Sequence, residues 1–508
     1  MIFLNKYLLG IDNGGTVTKA ALYSLSGKEV AIASQKTTMI MPKPFHTERD
    51  INELWNANVT VIKEVLKKSN IDSEQIAGVS ITGHGNGLYL TTKSGDPTYN
   101  GIISTDNRAK SYIEKWYANP RFESEILPKT MQSVWAGQPV ALLAWLQDNK
   151  PEVIEKTDYV FMVKDLIRFK LTGEAYLELT DISGTNLINV KDQCYDLHLL
   201  EFFGLSKMLP KLPPLKQSTD ICGYVTKEAA LATGLKEGTP IAGGIFDIAA
   251  SAVASGLVEE DKLCIVAGTW SINEYITRKP IVDKDLFMTS IYCLSDYWLT
   301  TEASPTSASN LEWFIEKFMS VEKQEAEKQG SSIYDLCNEL VASTEPEESN
   351  LLFFPFLFGS NTVPNANSCF IGMNSWHQLK HFLRAVYEGI VFSHLYHIER
   401  LTKYNDQLES SRIAGGVTKS AIWLQMFADC LQIPLEIVEV KEHGTLGTAM
   451  CAGVMTGYYR SIDEAARNMV HVEHIIKPNP NRAEVYATKY KLYKETLEKM
   501  EQIWKVGV

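Results

Sequence analysis

The sequence predicts an α/β protein of two domains in which the second half repeats the plan of the first. Three observations predict it. The chain has 508 residues, 45% of them hydrophobic, more than a single core usually organises, since domains run to about 100–200 residues. A short apolar strand ends in a Gly/Thr turn and is followed by a hairpin, once at Asp12–Thr16 and again at Gly268–Ser271. Between and around these units lie helices of clear 3.6-residue period.

In chain order, Tyr7 to Ile11 reads as a buried strand that runs into Asp12-Asn13-Gly14-Gly15-Thr16. Ala20–Tyr23 and Glu29–Ser34 then fold back around Ser26-Gly27, as short apolar runs separated by glycine turns do. Asp50 with Glu53 forms a capping-box-like start to a helix that keeps Ile51, Leu54, Trp55, Val59, Ile62, Val65 and Leu66 on one face. Ile76–Thr82 is a strand stopped by Gly83-His84-Gly85-Asn86-Gly87. Pro139–Gln147 and Val163–Lys170 read as helical, and Pro210, Pro213 and Pro214 as a linker-like stretch. A second set of strands is expected from Thr239, through Gly243-Gly244-Ile245-Phe246-Asp247, to Leu263–Ala267. The domain boundary falls near Ala254–Gly256, giving domains 1–254 and 255–508. Glu322 to Lys328 reads as a solvated helix.

Composition excludes several classes. Lys and Arg number 49 against 61 Asp and Glu, a net charge of −12 with no basic run, which argues against nucleic-acid or anionic-membrane partners. The eight cysteines are scattered without a Cys-x-x-Cys pair, so neither a disulfide frame nor a zinc site is expected. The most apolar stretch, Leu351–Phe358, is too short to cross a bilayer, and a cytoplasmic protein is expected.

Three glycine turns follow apolar strands: Asp12–Thr16, Gly268-Thr269-Trp270 and Ala414-Gly415-Gly416-Val417. Such turns expose backbone N–H groups that can cradle phosphate. None matches the Walker or the dinucleotide pattern, which weighs against an NAD-dependent dehydrogenase. Asp12, at the strand end, could hold magnesium against phosphates or merely shape an Asx-turn. Lys19 could reach a phosphate or lie in solvent. Asp247, beside paired glycines at the start of an Ala-rich helix, suits a base that accepts a hydroxyl proton, and equally an ordinary helix cap. His84, Asn86, Asp106 and Arg108 are polar loop residues able to bond a polyol, and Trp135 could stack on a sugar face or belong to the core.

Taken together, these residues make the chain resemble the FGGY carbohydrate kinases, a branch of the actin-like, hexokinase-type ATPase fold with ribonuclease H-like domains. The most specific segment is Ser368-Cys369-Phe370-Ile371-Gly372-Met373, seven residues, then His381-Phe382 and Ala385-Val386-Tyr387-Glu388, which fits the family's C-terminal signature. Lys164-Asp165, Leu171-Thr172-Gly173-Glu174 and Glu442-His443-Gly444-Thr445-Leu446-Gly447 are similar to further landmarks. The Gly14-Gly15 turn and the stretch from Thr301 to Trp313 are similar to those of the L-xylulose kinase subgroup. Where that subgroup has Gly-Lys-Gly, this chain has Gly85-Asn86-Gly87.

The resemblance implies ATP and Mg2+ bound in a cleft between the domains, and a homodimer, which members of the family often form. It places the phosphates on Asp12, Asn13, Gly14, Gly15, Thr16, Lys19, Gly268 and Thr269. Adenine lies near Gly415, Gly416 and Ser420, and magnesium near Asp12. His84, Asn86, Asp106, Trp135 and Asp247 contact the sugar, and Asp247 is the base. The implied acceptor is a terminal hydroxyl of L-xylulose or a related ketopentose, with gluconate, D-xylulose and D-ribulose as alternatives. A non-catalytic actin-like nucleotide switch is the reading from a different class.

Overall fold

The computed structural model describes residues 6–363 and 365–505. The first half is built on a six-stranded sheet of β1 (Tyr7–Asn13), β2 (Val17–Ser24), β3 (Glu29–Lys36), β4 (Ile76–Gly83), β5 (Ile221–Tyr224) and β6 (Pro240–Ala242). Its spatial order is β5-β6-β4-β1-β2-β3. The seven-stranded sheet of the second half contains β7 (Lys262–Ala267), β8 (Ser271–Thr277), β9 (Met288–Ile291), β10 (Trp298–Ser304), β11 (Ser410–Ala414), β12 (Leu435–Val438) and β13 (Val472–Ile476). Its order is β9-β10-β8-β7-β11-β12-β13.

The duplication seen in the sequence is a duplication of topology. In each half a central strand pairs antiparallel with the next strand through a tight turn (β1 with β2, β7 with β8) and parallel with a later one (β1 with β4, β7 with β11). The strands that meet in parallel carry apolar side chains on both faces, as parallel sheets covered by helices require. Leu8, Leu9, Ile11, Val79 and Ile81 are buried in the first half, and Leu263, Cys264, Ile265 and Ile413 in the second.

Six helices matter for the site: α1 (Ile51–Ser69), α2 (Val163–Thr172), α3 (Asp247–Ala254), α4 (Leu379–Thr402), α5 (Ala421–Leu431) and α6 (His443–Met455). Asp50 caps α1 by accepting from Glu53 N at 2.8 Å, as its sequence predicts. Each half has its own apolar core, and a third cluster joins them. That third cluster is the contact of α3 with α6, with Ala249, Ala250, Val253, Leu446, Ala449 and Met450 buried in it. Small residues let the two backbones approach. A Cβ on Gly447 would lie 2.3 Å from the Ala250 carbonyl oxygen, and one on Gly10 would lie 2.0 Å from that of Thr445.

Two expectations are corrected. The strand at Pro240–Ala242 does not open a second set, because it pairs parallel with β4 inside the first sheet. The proline-rich stretch is not a linker between domains. Ser206–Lys211 is a short 3-10 helix, and Leu215–Lys216 then pairs with Leu177–Glu178 within the first half. The solvated helix is present as Ser320–Gln329, with only Ala326 buried. All eight cysteines are free thiols, and among the described residues no helix is long and apolar enough to cross a membrane.

Candidate active site

A cavity of about 420 Å3 opens between the halves. The first half contributes Gly15, Thr16, His84, Asn86, Trp135 and Asp247 to its wall, and the second contributes Thr269, Trp270, Phe287 and Met288. Asp12, Lys19, Asp106, Gly268, Gly415, Gly416 and Ser420 do not line it.

Asp247 is placed by the turn that leaves β6. Gly244 takes φ +93°, a left-handed conformation that suits glycine. The Ile245 carbonyl then accepts from Thr82 Oγ1 at 2.7 Å, and Phe246 N donates to Thr180 Oγ1 at 2.9 Å. Asp247 follows as the first residue of α3. It is not an ordinary cap: its oxygens accept from Ile248 N at 2.8 Å and from Gly85 N, across the cleft loop, at 3.2 Å. Burial, followed by the nearby charge of Asp12, pushes its carboxyl up to about 7 despite those two N–H donors.

A buried charge cluster supports that turn. Lys164 Nζ lies 2.9 Å from Asp165, 3.3 Å from Glu178 and 3.6 Å from Asp181, all fully buried. Glu178 accepts from the Thr180 hydroxyl at 2.8 Å, the same hydroxyl that receives Phe246 N. The landmark Lys164-Asp165 therefore acts through Thr180 on the backbone beside Asp247. Thr180 carries no sequence signal of its own.

Asp12 ends β1 under the N-terminus of α6. A Cβ at Gly444 would lie 2.5 Å from Asp12 Oδ2, so only glycine lets helix and carboxylate come so close. Burial raises the Asp12 carboxyl to about 6, with Lys19 opposing and Glu442 adding to the rise. Lys19 Nζ donates to Glu442 at 2.6 Å and ties β2 to the head of α6. Asn13 is fully buried, with Oδ1 accepting from Asn58 Nδ2 at 2.7 Å. Sequence reading missed Arg49. Its fully buried guanidinium donates from Nη2 to the carbonyls of Gly14 (3.0 Å) and Gly15, while Nε and Nη1 have no partner. Its signal was present in the residue beside the Asp50 cap, but nothing local says which way that side chain turns.

On the acceptor side, His84 Nε2 and Tyr89 Oη are 2.7 Å apart, and burial holds the imidazole neutral, down at about 3. Asn86 adopts φ +60° and leaves Oδ1 buried without a partner. Trp135 is partly buried on the wall, and Gln138, itself buried there, accepts from Trp135 N through Oε1 at 3.1 Å. Gln138 Nε2 donates to Gln132 Oε1 at 3.0 Å. These two glutamines were not anticipated. Asp106 lies behind the wall, where it accepts from Arg108 and from Thr47 N, and Arg108 also pairs with Glu48 at 2.8 Å.

The second and third glycine turns touch. Gly415 takes φ +101°, and a Cβ there would lie 2.4 Å from the Ala267 carbonyl oxygen. The Gly268 carbonyl accepts from Ala308 N at 2.9 Å. His394, neutral in its buried site, bridges Ser271 (3.1 Å) and Ser307 (2.9 Å) behind this turn. A 3-10 turn follows at Gly416–Lys419. Ser420 then caps α5, accepting from Trp423 N, and donates to Asn338 at 2.7 Å.

Chemically, this is a cleft with a near-neutral carboxyl on one wall, glycine turns on both sides and a polar loop facing the carboxyl. The description "FGGY family of carbohydrate kinases" fits residues 7–254 by its N-terminal domain and residues 263–456 by its C-terminal domain. A probable L-xylulose kinase of Pasteurella multocida is 39% identical over 96% of this chain and 98% of its own length. An L-xylulose/3-keto-L-gulonate kinase of Escherichia coli is 35% identical over 98% of each chain. Among solved structures, a gluconate kinase from Lactobacillus acidophilus superposes with TM-score 0.90 at 24% identity, covering 99% of this chain and 100% of its own. A xylulose kinase from Rhodospirillum rubrum gives 0.88 at 23%, covering 98% and 100%. Architecture, cleft and sequence agree, and the chain belongs to the FGGY family of carbohydrate kinases.

Proposed function

We propose that this ATP-dependent carbohydrate kinase phosphorylates the terminal hydroxyl of L-xylulose or a closely related ketopentose, with Asp247 as the general base. The observation that carries the base assignment is the position of Asp247 on the wall of the cavity between the halves, held by Gly85 N and Ile248 N. The names of the two relatives above both include L-xylulose, which supports the ketopentose, and the second adds the keto-aldonate 3-keto-L-gulonate.

The acceptor hydroxyl lies against His84, Asn86 and Trp135. Its oxygen forms a bond to the γ-phosphorus as the bond to the ADP oxygen breaks, and its proton passes to Asp247. Phosphoryl transfer draws mainly on positioning and charge stabilisation. Backbone N–H groups of the turns at Gly14, Gly15, Thr16, Gly268 and Thr269 face the phosphates, and the turn at Gly415 and Gly416 takes the adenine end. Asp106 acts through Arg108 on the loop that it braces, and Ser420 through the start of α5. Residues 1–254 thus carry the sugar and the first phosphate turn, and 255–508 carry the nucleotide.

Among the described residues no cluster of three metal-ligating groups exists. Two acids held above their usual range by burial, Asp247 also by the charge of Asp12, nevertheless fit a cation shared with phosphates. Asp12 would hold magnesium, which when bound supplies positive charge to the transferring phosphoryl group. Lys19 and Glu442 orient Asp12.

An ADP-release assay over L-xylulose, D-xylulose, D-ribulose and gluconate tests the substrate. Asp247→Asn should lower kcat by about 10²–10⁴ with nucleotide binding kept. Turnover within a few-fold of wild type would sink the base assignment, and indifference to every sugar would favour a nucleotide switch.

A further inference from the structure

We propose that the acceptor site takes neutral polyhydroxy ketones and rejects substrates that carry a carboxylate. The inference rests on reading the cavity as the acceptor site and goes on to name which chemical class fits it.

Among the described residues lining the cavity there is no lysine or arginine, and His84 and Asp247 are its only side chains of the kind that ionise near neutrality. His84 is neutral, since burial and the charge of Arg49 both oppose its protonation. Asp247 must be an anion to take the proton. A carboxylate on the sugar would therefore enter a space whose one protein charge has its own sign.

Three of the nearby cations are paired with carboxylates. Lys19 is paired with Glu442, Lys164 sits among three carboxylates, and Arg108 lies between Asp106 and Glu48. Arg49 is fully buried behind the Gly14-Gly15 turn and outside the cavity wall, with Nη2 donating to the two carbonyls and Nε and Nη1 without a partner. What the wall does offer suits hydroxyl groups. Asn86 stands on the wall with its amide, and Trp135 gives an apolar face. A hydroxyl can both donate and accept, so either end of an amide satisfies it. A carboxylate only accepts, and burying one without a cation or several N–H donors is strongly unfavourable.

The test is kcat/KM with Mg·ATP, read by ADP release, for neutral ketopentoses and ketohexoses against aldonates and keto-aldonates of five and six carbons. Every acid should fall at least about a hundredfold below the best neutral ketose. Asn86→Lys should narrow that ratio about tenfold or more by raising turnover of the acids. An acid within about tenfold of the best ketose overturns the inference while the kinase reading stands. So does a folded, nucleotide-binding Asn86→Lys enzyme whose ratio is unchanged. No turnover of any ketose or acid overturns the kinase reading, and this inference falls with it.

Discussion

At the scale of single residues, the site holds a pair of carboxyls, and the charge of Asp12 bears on the protonation of Asp247. The charge of Asp12 is the second cause of the rise of Asp247 to about 7, after burial. The profile of kcat/KM reports ionisations of the free enzyme. Its acid limb should therefore bend near pH 7, with activity lost as Asp247 takes up a proton. Asp12→Asn removes a negative neighbour, so in that variant the limb should move to lower pH even as activity falls. A limb that stays in place would show that the two acids do not sense each other. Arg49 makes a second prediction. Its planar guanidinium serves two carbonyls at once, which a lysine ammonium reproduces poorly. Arg49→Lys should raise KM for ATP on the order of tenfold with little change in KM for the ketose, measured by initial rates. Equal rises in both would mean that the turn is not what Arg49 holds. Asp12 and Asp247 were legible in the sequence because each stands beside glycines at or just after the end of an apolar strand. Arg49, Gln132, Gln138 and Thr180 were not, because their roles come from contacts made far along the chain.

At the scale of elements, the glycines that look like family landmarks separate into two kinds. Gly372 and the residues from His381 to Glu388 organise the second half around α4, where Arg384 bonds Thr344 and Glu388, and Lys489 pairs with Glu388. None of them lines the cavity. The segment most diagnostic of family is thus a packing device, silent about chemistry. Gly444 is of the other kind, since it joins α6 to the carboxylate of Asp12. Gly444→Ala must push helix and carboxylate apart. Overpacking of this sort costs about 1–3 kcal/mol, so the melting temperature should fall together with kcat. Wild-type activity with an unchanged melting temperature would refute that contact. The hairpins and the capped helix were readable because turn chemistry and periodicity are local. The place of Pro240–Ala242 was not, since parallel pairing with β4 joins residues 79 and 241, and no local pattern encodes such a partner.

At the scale of the whole molecule, two α/β halves are joined by an apolar contact of α3 with α6, beside which stand the two acids Asp12 and Asp247. Repetition of the strand–turn–hairpin unit made the two-domain plan legible. The way the halves meet was not, because the small residues on α3 and α6 look like ordinary helix formers until both helices are seen together. The arrangement sets the pH dependence of stability. Asp12 and Asp247 are raised from 3.8 to about 6 and about 7, so the folded chain holds more protons than the unfolded one between these values. Stability from these groups is present below about pH 4 and is lost as pH rises through 6 and 7. Asp247→Asn keeps the shape and removes the ionisation, so at pH 8 it should be more stable than wild type by about 4 kcal/mol. The difference should narrow as pH falls from 8 and close only near pH 4, where the carboxyl of the unfolded chain is protonated as well. Thermal melts of both proteins without nucleotide, across pH 4 to 8, measure it. A difference of constant size over that range would mean that Asp247 ionises without cost, and the two acids would then not be the strained part of the interface.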